Sequence, residues 1–481
     1  MSFHQMSYRK TLLAACSIIS LAGFLTLDPL SASRSQAQMF YGKVGPANGE
    51  PDGNGVPCHG FLDGGGQCLT TQNATNSTDR PTRIVGTVGK ARPRDGFEQF
   101  GRRARDLIYI ATPGGSSDEP DSTVRTGEGI IVLDAKANYA VVKRIHIQNL
   151  SAPLSPEEVS AMMADPVTNM VYISTRGHLI AMDLATDRIV WNNTYEPGTC
   201  CERGQITPDG LTLEVGSDLK DYHRVIDART GAVKGIIKTP SSNFNHNMGM
   251  SADGKTVFDA PNGVTMTVAD MATMKATHTI TFDDHIRVFV INHDASRVYA
   301  NLNNLLGFEI ADAHTGKILK RVEAPAEMWK AKWADPNLQF FGHGAPQHGV
   351  ALTPDESEIW VPDSINNQML VYDNAGQDLW NLDPTKTIKM QHASNWITMG
   401  LDGKIALSSS GDVIDVKAHK VVAQLKDEYG NLIHSEKFLE MSFDNKGHLM
   451  RPVNQFAEGD PAAVEQRRAS LDMGAGKQAR N

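Results

Sequence analysis

From residue 106 onward, short apolar runs alternate with polar turns in a unit that recurs along the chain. Its fullest copy is 348–373, HGVALTPDESEIWVPDSINNQMLVYD. A strand at 350–352 meets a turn at Pro354 and Asp355. A second strand at 359–362 runs into a polar turn at 364–368, and a third at 369–372 closes on Asp373. Period-two alternation with turn residues at fixed offsets predicts strands. The closing device, an apolar strand ending on Asp, returns at Asp134, Asp183, Asp227, Asp270, Asp312, Asp373 and Asp415. Most copies add a turn and a fourth strand, as in ATDRIVW after Asp183 and ARTGAVKG after Asp227. Inner strands precede turns at Asp209, Asp253, Asp294, Asp355, Asp402 and Asp444.

Repeats of four strands at intervals of about 40–50 residues do not suit a β-sandwich; they predict a β-propeller. The expected fold is all-β, a seven-bladed propeller over 106–455, followed by a polar tail at 456–481. Blade one has no inner strand ahead of 106–112. The segment 437–453 supplies it, so that strands from both chain ends close the ring and remove its exposed edges. If these segments form a sheet of their own, an eighth blade results.

The N-terminus adds an export signal. Arg9 and Lys10 precede an apolar stretch at 12–27, and Ser35-Gln36-Ala37 fits a small-x-small cleavage site, giving a signal peptide over 1–37. No apolar run of spanning length follows, so the mature chain is expected to lack a membrane span and to be periplasmic or secreted. Residues 38–105 are rich in Gly, Pro, Asn, Asp and Arg and read as an irregular arm. Cys16 falls in the signal, which leaves Cys58, Cys68, Cys200 and Cys201. An even number in an oxidising compartment points to disulfides, with Cys58 and Cys68 a plausible pair. The net charge of -9 and the lack of a basic run argue against nucleic-acid binding.

Candidate chemistry comes from register. Aligning the inner strands on their turns places Glu158, Glu202, His246, Arg287, His348, Asn395 and Lys437 at one level, seven residues before each turn aspartate. In a propeller this level lines the central channel. Such residues can solvate the channel and pair among themselves. They can also form a site. His246 and His348, with His392 and His434 three residues earlier in their blades, are candidate ligands for copper, zinc or iron. Glu158 or Glu202 would then be the acid/base, with Arg287 and Lys437 holding an anionic group. His146, His223, His293, His314, His419 and His448 read as structural. The long insertion at 323–347 carries Trp329, Trp333, Phe340 and Phe341, partly at the spacing of a short amphipathic helix. These aromatics either pack the loop onto the rim or form an apolar lid over the channel mouth.

Two resemblances follow from these motifs. HGVALTPDESEIWV, IDARTGAVKG and ADAHTGKIL resemble the YVTN-type propeller repeat over about 106–453, in the superfamily that holds the large subunits of quinohaemoprotein amine dehydrogenases and methylamine dehydrogenase. That resemblance implies the fold, while propellers host many unrelated activities. Separately, LIAMDLATDRIVW followed by CCERG resembles a stretch of the pyrroloquinoline-quinone alcohol dehydrogenases, where an adjacent cysteine pair packs on the quinone. It implies a quinone contact at Cys200 and Cys201. The functional expectation is a metal-dependent oxidoreductase, lyase or hydrolase acting on a small molecule at the channel entrance. Alternatives are a non-catalytic scaffold for a protein or redox partner and a quinone-dependent dehydrogenase.

Overall fold

The computed structural model describes residues 61–62, 68–69, 105–112, 129–145, 159–175, 178–195, 203–217, 220–239, 245–261, 263–335, 345–376 and 379–452. The chain divides into two compact units, 1–68 and 69–481. Strands Phe61–Leu62 and Cys68–Leu69 pair with each other. The stretch expected to be a signal peptide, the remainder of the arm and the polar tail lie outside the described residues, as do Cys58, Cys200 and Cys201.

The second unit is a seven-bladed β-propeller. Each closing aspartate ends the third strand of its blade: Gly129–Asp134, His178–Asp183, Tyr222–Asp227, Thr265–Asp270, Gly307–Asp312, Gln368–Asp373 and Asp412–Asp415. The reason is local. Asp227 Oδ1 accepts hydrogen bonds from the backbone N–H groups of Arg229 and Thr230 and from the Thr230 hydroxyl, at 2.9–3.1 Å. Asp183 with Thr186, Asp270 with Thr273 and Asp312 with Thr315 repeat the arrangement. The carboxylate satisfies turn donors that would otherwise lack partners and turns the chain into the fourth strand. The inner turn uses Asp-Gly in the same way. Asp209 Oδ1 accepts from Leu211 N at 3.0 Å and from the Thr207 hydroxyl at 2.6 Å. Gly210 takes φ +68°, where a Cβ would also strike the Asp165 carboxylate.

Burial follows strand position. The second and third strands of each blade are almost wholly buried, whereas fourth strands such as Lys275–Thr281 and Ile318–Glu323 are largely exposed. Blades stack face to face, so a middle strand is covered on both sides and needs apolar residues at consecutive positions. Seven apolar clusters form among the described residues, one at each junction between neighbouring blades.

The seventh junction closes the ring. Strand Phe438–Phe443 pairs antiparallel with Arg105–Thr112, matching Phe438 to Ile110 and Phe443 to Arg105. The C-terminal segment is thus the inner strand of blade one, as the missing strand ahead of residue 106 implied. Leu449–Pro452 pairs back onto the same strand, at the end away from Lys437, giving blade one a fifth strand, so these two segments form no sheet of their own. Phe438, Ile108, Ile110, Ile131 and Leu133 pack against Leu407, Val413, Leu425 and Ile433 of blade seven.

Glu440 sits in this closing junction, with Oε2 accepting the Leu401 N–H at 2.9 Å. Burial pushes its carboxyl up to about 7; the Leu401 bond opposes the shift, and Asp106 and Asp402 add to it. The folded chain holds this proton above the ordinary value of 4.5, so the contribution to stability is greatest below that value. It is lost as pH rises through about 7. Glu440→Gln is expected to flatten the decline by about 3 kcal/mol, read from urea unfolding midpoints between pH 4.5 and 8.

Candidate functional site

Inner strands begin at one end of the channel, and the residues at their starts meet there. Arg203 directly precedes strand Gly204–Ile206 of blade three. Asn247 and Arg287 lie near the starts of Asn245–Met250 and Ile286–Ile291, in blades four and five. His348 precedes Ala351–Leu352 of blade six, Asn395 and Trp396 precede Ile397–Met399 of blade seven, and Glu436 and Lys437 precede Phe438–Phe443 of blade one. All are buried.

Contacts between blades that do not adjoin place this cluster on the axis. The Arg203 guanidinium lies 4.3 Å from the ring centroid of Trp396, so blade three touches blade seven. Arg203 Nη2 is 3.8 Å from Glu436 Oε2 on blade one. His348 Nδ1 on blade six is 3.6 Å from Glu436 Oε1. Glu436 is the hub: it accepts from Asn395 Nδ2 at 3.0 Å, and the Lys437 ammonium is 3.3 Å away. The Lys437 Nζ also stands over Trp396, 5.2 Å from its centroid. On the far side Arg203 Nη1 donates to Asn247 Oδ1 at 3.0 Å, Asn247 Nδ2 donates to the Arg287 carbonyl, and Arg287 Nε donates to Asn303 Oδ1. The Ser409 hydroxyl accepts from the Asn395 backbone N–H at 2.9 Å and donates to Asn395 Oδ1 at 2.7 Å, which orients that amide.

Among the described residues the cluster holds three cations, Arg203, Arg287 and Lys437; Glu436 lies against Arg203 and Lys437, and the Asp284 carboxylate acts on Arg287. Burial pushes the Arg287 guanidinium down to about 10, with Asp284 opposing the shift. It also holds the His348 imidazole below its ordinary value; Glu436 opposes the shift and the two arginines reinforce it. His348 is therefore neutral near pH 7, able to take up or pass on a proton.

Arg287, His348, Asn395 and Lys437 thus stand at the level expected from register. In blades three and four the described side chains bonded into the cluster are Arg203 and Asn247, each one residue beyond the aligned Glu202 and His246, whose side chains lie outside those described. The pairing of Asn245–Met250 with the next strand shifts between Asn245 and Asn247, so counting back from the turn loses register there. His246 lies within that strand. Glu158, Glu202, Cys200 and Cys201 lie outside the described residues. His392 and His434 do meet, ring edge to face with centroids 6.1 Å apart.

Among the described residues, only Glu214, His223 and Asp259 bring three metal-ligating atoms together, all within 4.8 Å. That group lies between blades three and four, on the second and third strands of blade three and the second strand of blade four. His223 was read as a structural histidine, and two acids set in apolar strands, TLEV and TVFDAP, were the signal passed over. The aromatic insertion forms helix Ala326–Trp333, as its spacing predicted. Trp329 is buried in the junction of blades five and six, with Nε1 donating to the Ala324 carbonyl, so the helix is packed onto the rim. Phe340 and Phe341 lie outside the described residues. Among the described residues no helix is long and apolar enough to cross a membrane.

No protein-family model matches the chain, and no curated protein matches it.

Glu436 ties the buried Arg203, His348, Asn395 and Lys437 together, so Glu436→Gln is expected to destabilise the protein by about 3 kcal/mol, measured by guanidinium unfolding near neutral pH.

Proposed function

We propose that this propeller binds a small anionic molecule, a carboxylate or phosphate ester, at the axial end where its inner strands begin. The observation that carries the reading is Arg287 Nη1, a guanidinium donor buried with no hydrogen-bond partner, in one buried cluster with His348, Arg203 and Lys437. A buried charged donor without a partner is costly unless an anion joins it. Guanidinium groups suit this task because their planar N–H groups match the geometry of carboxylate and phosphate oxygens.

The same feature favours a small molecule over a protein partner held by the rim loops, because the charge lies inside the ring. Turnover, in this reading, is acid–base chemistry of the lyase or hydrolase kind: Arg287 and Lys437 hold the anionic group and His348 moves the proton. Glu436 orients His348 and Lys437. The repeat is assigned to the YVTN type on its Asp-x-x-Thr turns, and the protein is placed outside the cytoplasm on its N-terminal pattern of Arg9, Lys10 and the apolar run that follows.

A panel of small carboxylates and phosphate esters, scored by thermal shift and then by calorimetry, tests the proposal. At least one is expected to raise the melting midpoint. Arg287→Met and Lys437→Met should each weaken it tenfold or more, while exposed Lys275→Met leaves it unchanged. A panel without effect, or binding that survives both buried substitutions, would contradict the assignment.

A further inference from the structure

The junction between blades three and four has the smallest apolar cluster of the seven, built from Val225, Ile237, Met250, Val257, Ala269 and Met271. Beside that cluster the junction holds the buried Glu214, His223, Asp259 and Thr267. Register fixes their facing. Glu214 lies opposite Val225, and Val225 packs toward blade four. His223 is two residues from Val225 on the same strand and shares its face. Asp259 lies opposite Thr267, each two residues from Val257 or Ala269, which pack toward blade three. Two polar pairs therefore confront each other across the junction. Gly216, next beyond the strand that carries Glu214, has no Cβ to hold blade four off; one would lie 2.0 Å from the Asn245 carbonyl oxygen.

We propose that Glu214, His223 and Asp259 hold one divalent first-row transition metal, zinc being the best match, which clamps blade three to blade four. Four observations support this. First, the three side chains are fully buried. Second, their ligand atoms lie within 4.8 Å of one another. Third, His223 Nδ1 contacts Glu214 Oε1 and lies 3.4 Å from Asp259 Oδ1. Fourth, many of the remaining polar atoms are unused: both Asp259 oxygens, Glu214 Oε2, His223 Nε2 and Thr267 Oγ1 are buried without hydrogen-bond partners. Asn245 faces the same imidazole.

Protonating the carboxyl groups would not resolve this. A neutral Asp259 still needs an acceptor for its hydroxyl and a donor for its carbonyl oxygen, and leaving buried polar atoms unpaired is costly. A dication satisfies the open oxygens together, and its charge balances two carboxylates. One imidazole with two carboxylates, and no sulfur, suits zinc, manganese or iron(II) rather than copper(I). Thr267, opposite Asp259 in register and with its hydroxyl unpartnered, is the candidate for a further ligand. With all its ligands buried, the site is structural and takes no part in the axial chemistry.

The test uses the full chain. The protein is unfolded, stripped with chelator and refolded with zinc, manganese or cobalt(II), then dialysed and assayed for metal. One bound ion per chain is expected, with visible d–d absorption for cobalt. Zinc should raise the melting midpoint by about 5 °C or more over the chelated protein. His223→Gln and Asp259→Asn, both close to the native volumes, should lose the ion and the shift. Should the variants fail to fold, the wild-type protein decides: no bound metal and no midpoint shift would overturn the proposal. Metal retained by both folded variants would overturn it as well.

Discussion

Closure of the ring by one strand pair is the constraint on which the rest of this structure depends. Six blades are built from consecutive chain, and nothing in their hairpins forces them into a circle. Pairing of Phe438–Phe443 with Arg105–Thr112 does so, because it joins blade seven to the start of the first repeat. Once the ring is shut, the open edges that a linear array of sheets would expose are gone. The starts of the inner strands are then forced toward a common axis, and side chains far apart in sequence become neighbours. Arg203 and Trp396 owe their 4.3 Å approach to this closure.

Closure also explains how the protein tolerates so much buried charge. The junctions between blades carry continuous apolar layers, and their summed burial offsets the cost of desolvating a few polar groups. Two of the places where such groups gather are the axial cluster and the junction of blades three and four. At the axis, Glu436 and a chain of amides, Asn395, Asn247 and Asn303, satisfy most of the donors. At the junction Asn245 faces the imidazole, while Glu214 Oε2, both Asp259 oxygens and Thr267 Oγ1 are left without hydrogen bonds. On the two proposed assignments the axis takes an exchangeable ligand and the junction a permanent one.

Much of the fold was legible in the sequence because the repeating element is local. An aspartate that binds turn donors two and three residues ahead leaves its mark at Asp183, Asp227, Asp270 and Asp312 whatever lies around it. Even the contribution of the C-terminal strand to blade one could be inferred, since an incomplete first repeat demands a partner. The axial cluster was legible in outline. Arg287, His348, Asn395 and Lys437 follow from counting back to the turn, but Arg203 and Asn247 do not. A bulge near Asn245 moves one of them by a residue, and bulges leave no reliable sequence mark. Glu436 was missed because its importance lies in partners on other blades, not in its spacing. The group at Glu214, His223 and Asp259 was missed for the same reason: two strands of one blade meet one strand of the next.

A double-mutant cycle across the axis tests ring closure most directly. Arg203→Met, Trp396→Leu and the pair would be compared by equilibrium unfolding. Because Arg203 and Trp396 lie on blades that do not adjoin, the account predicts a coupling of about 1 kcal/mol or more. Losses that simply add, within about 0.5 kcal/mol, would contradict it.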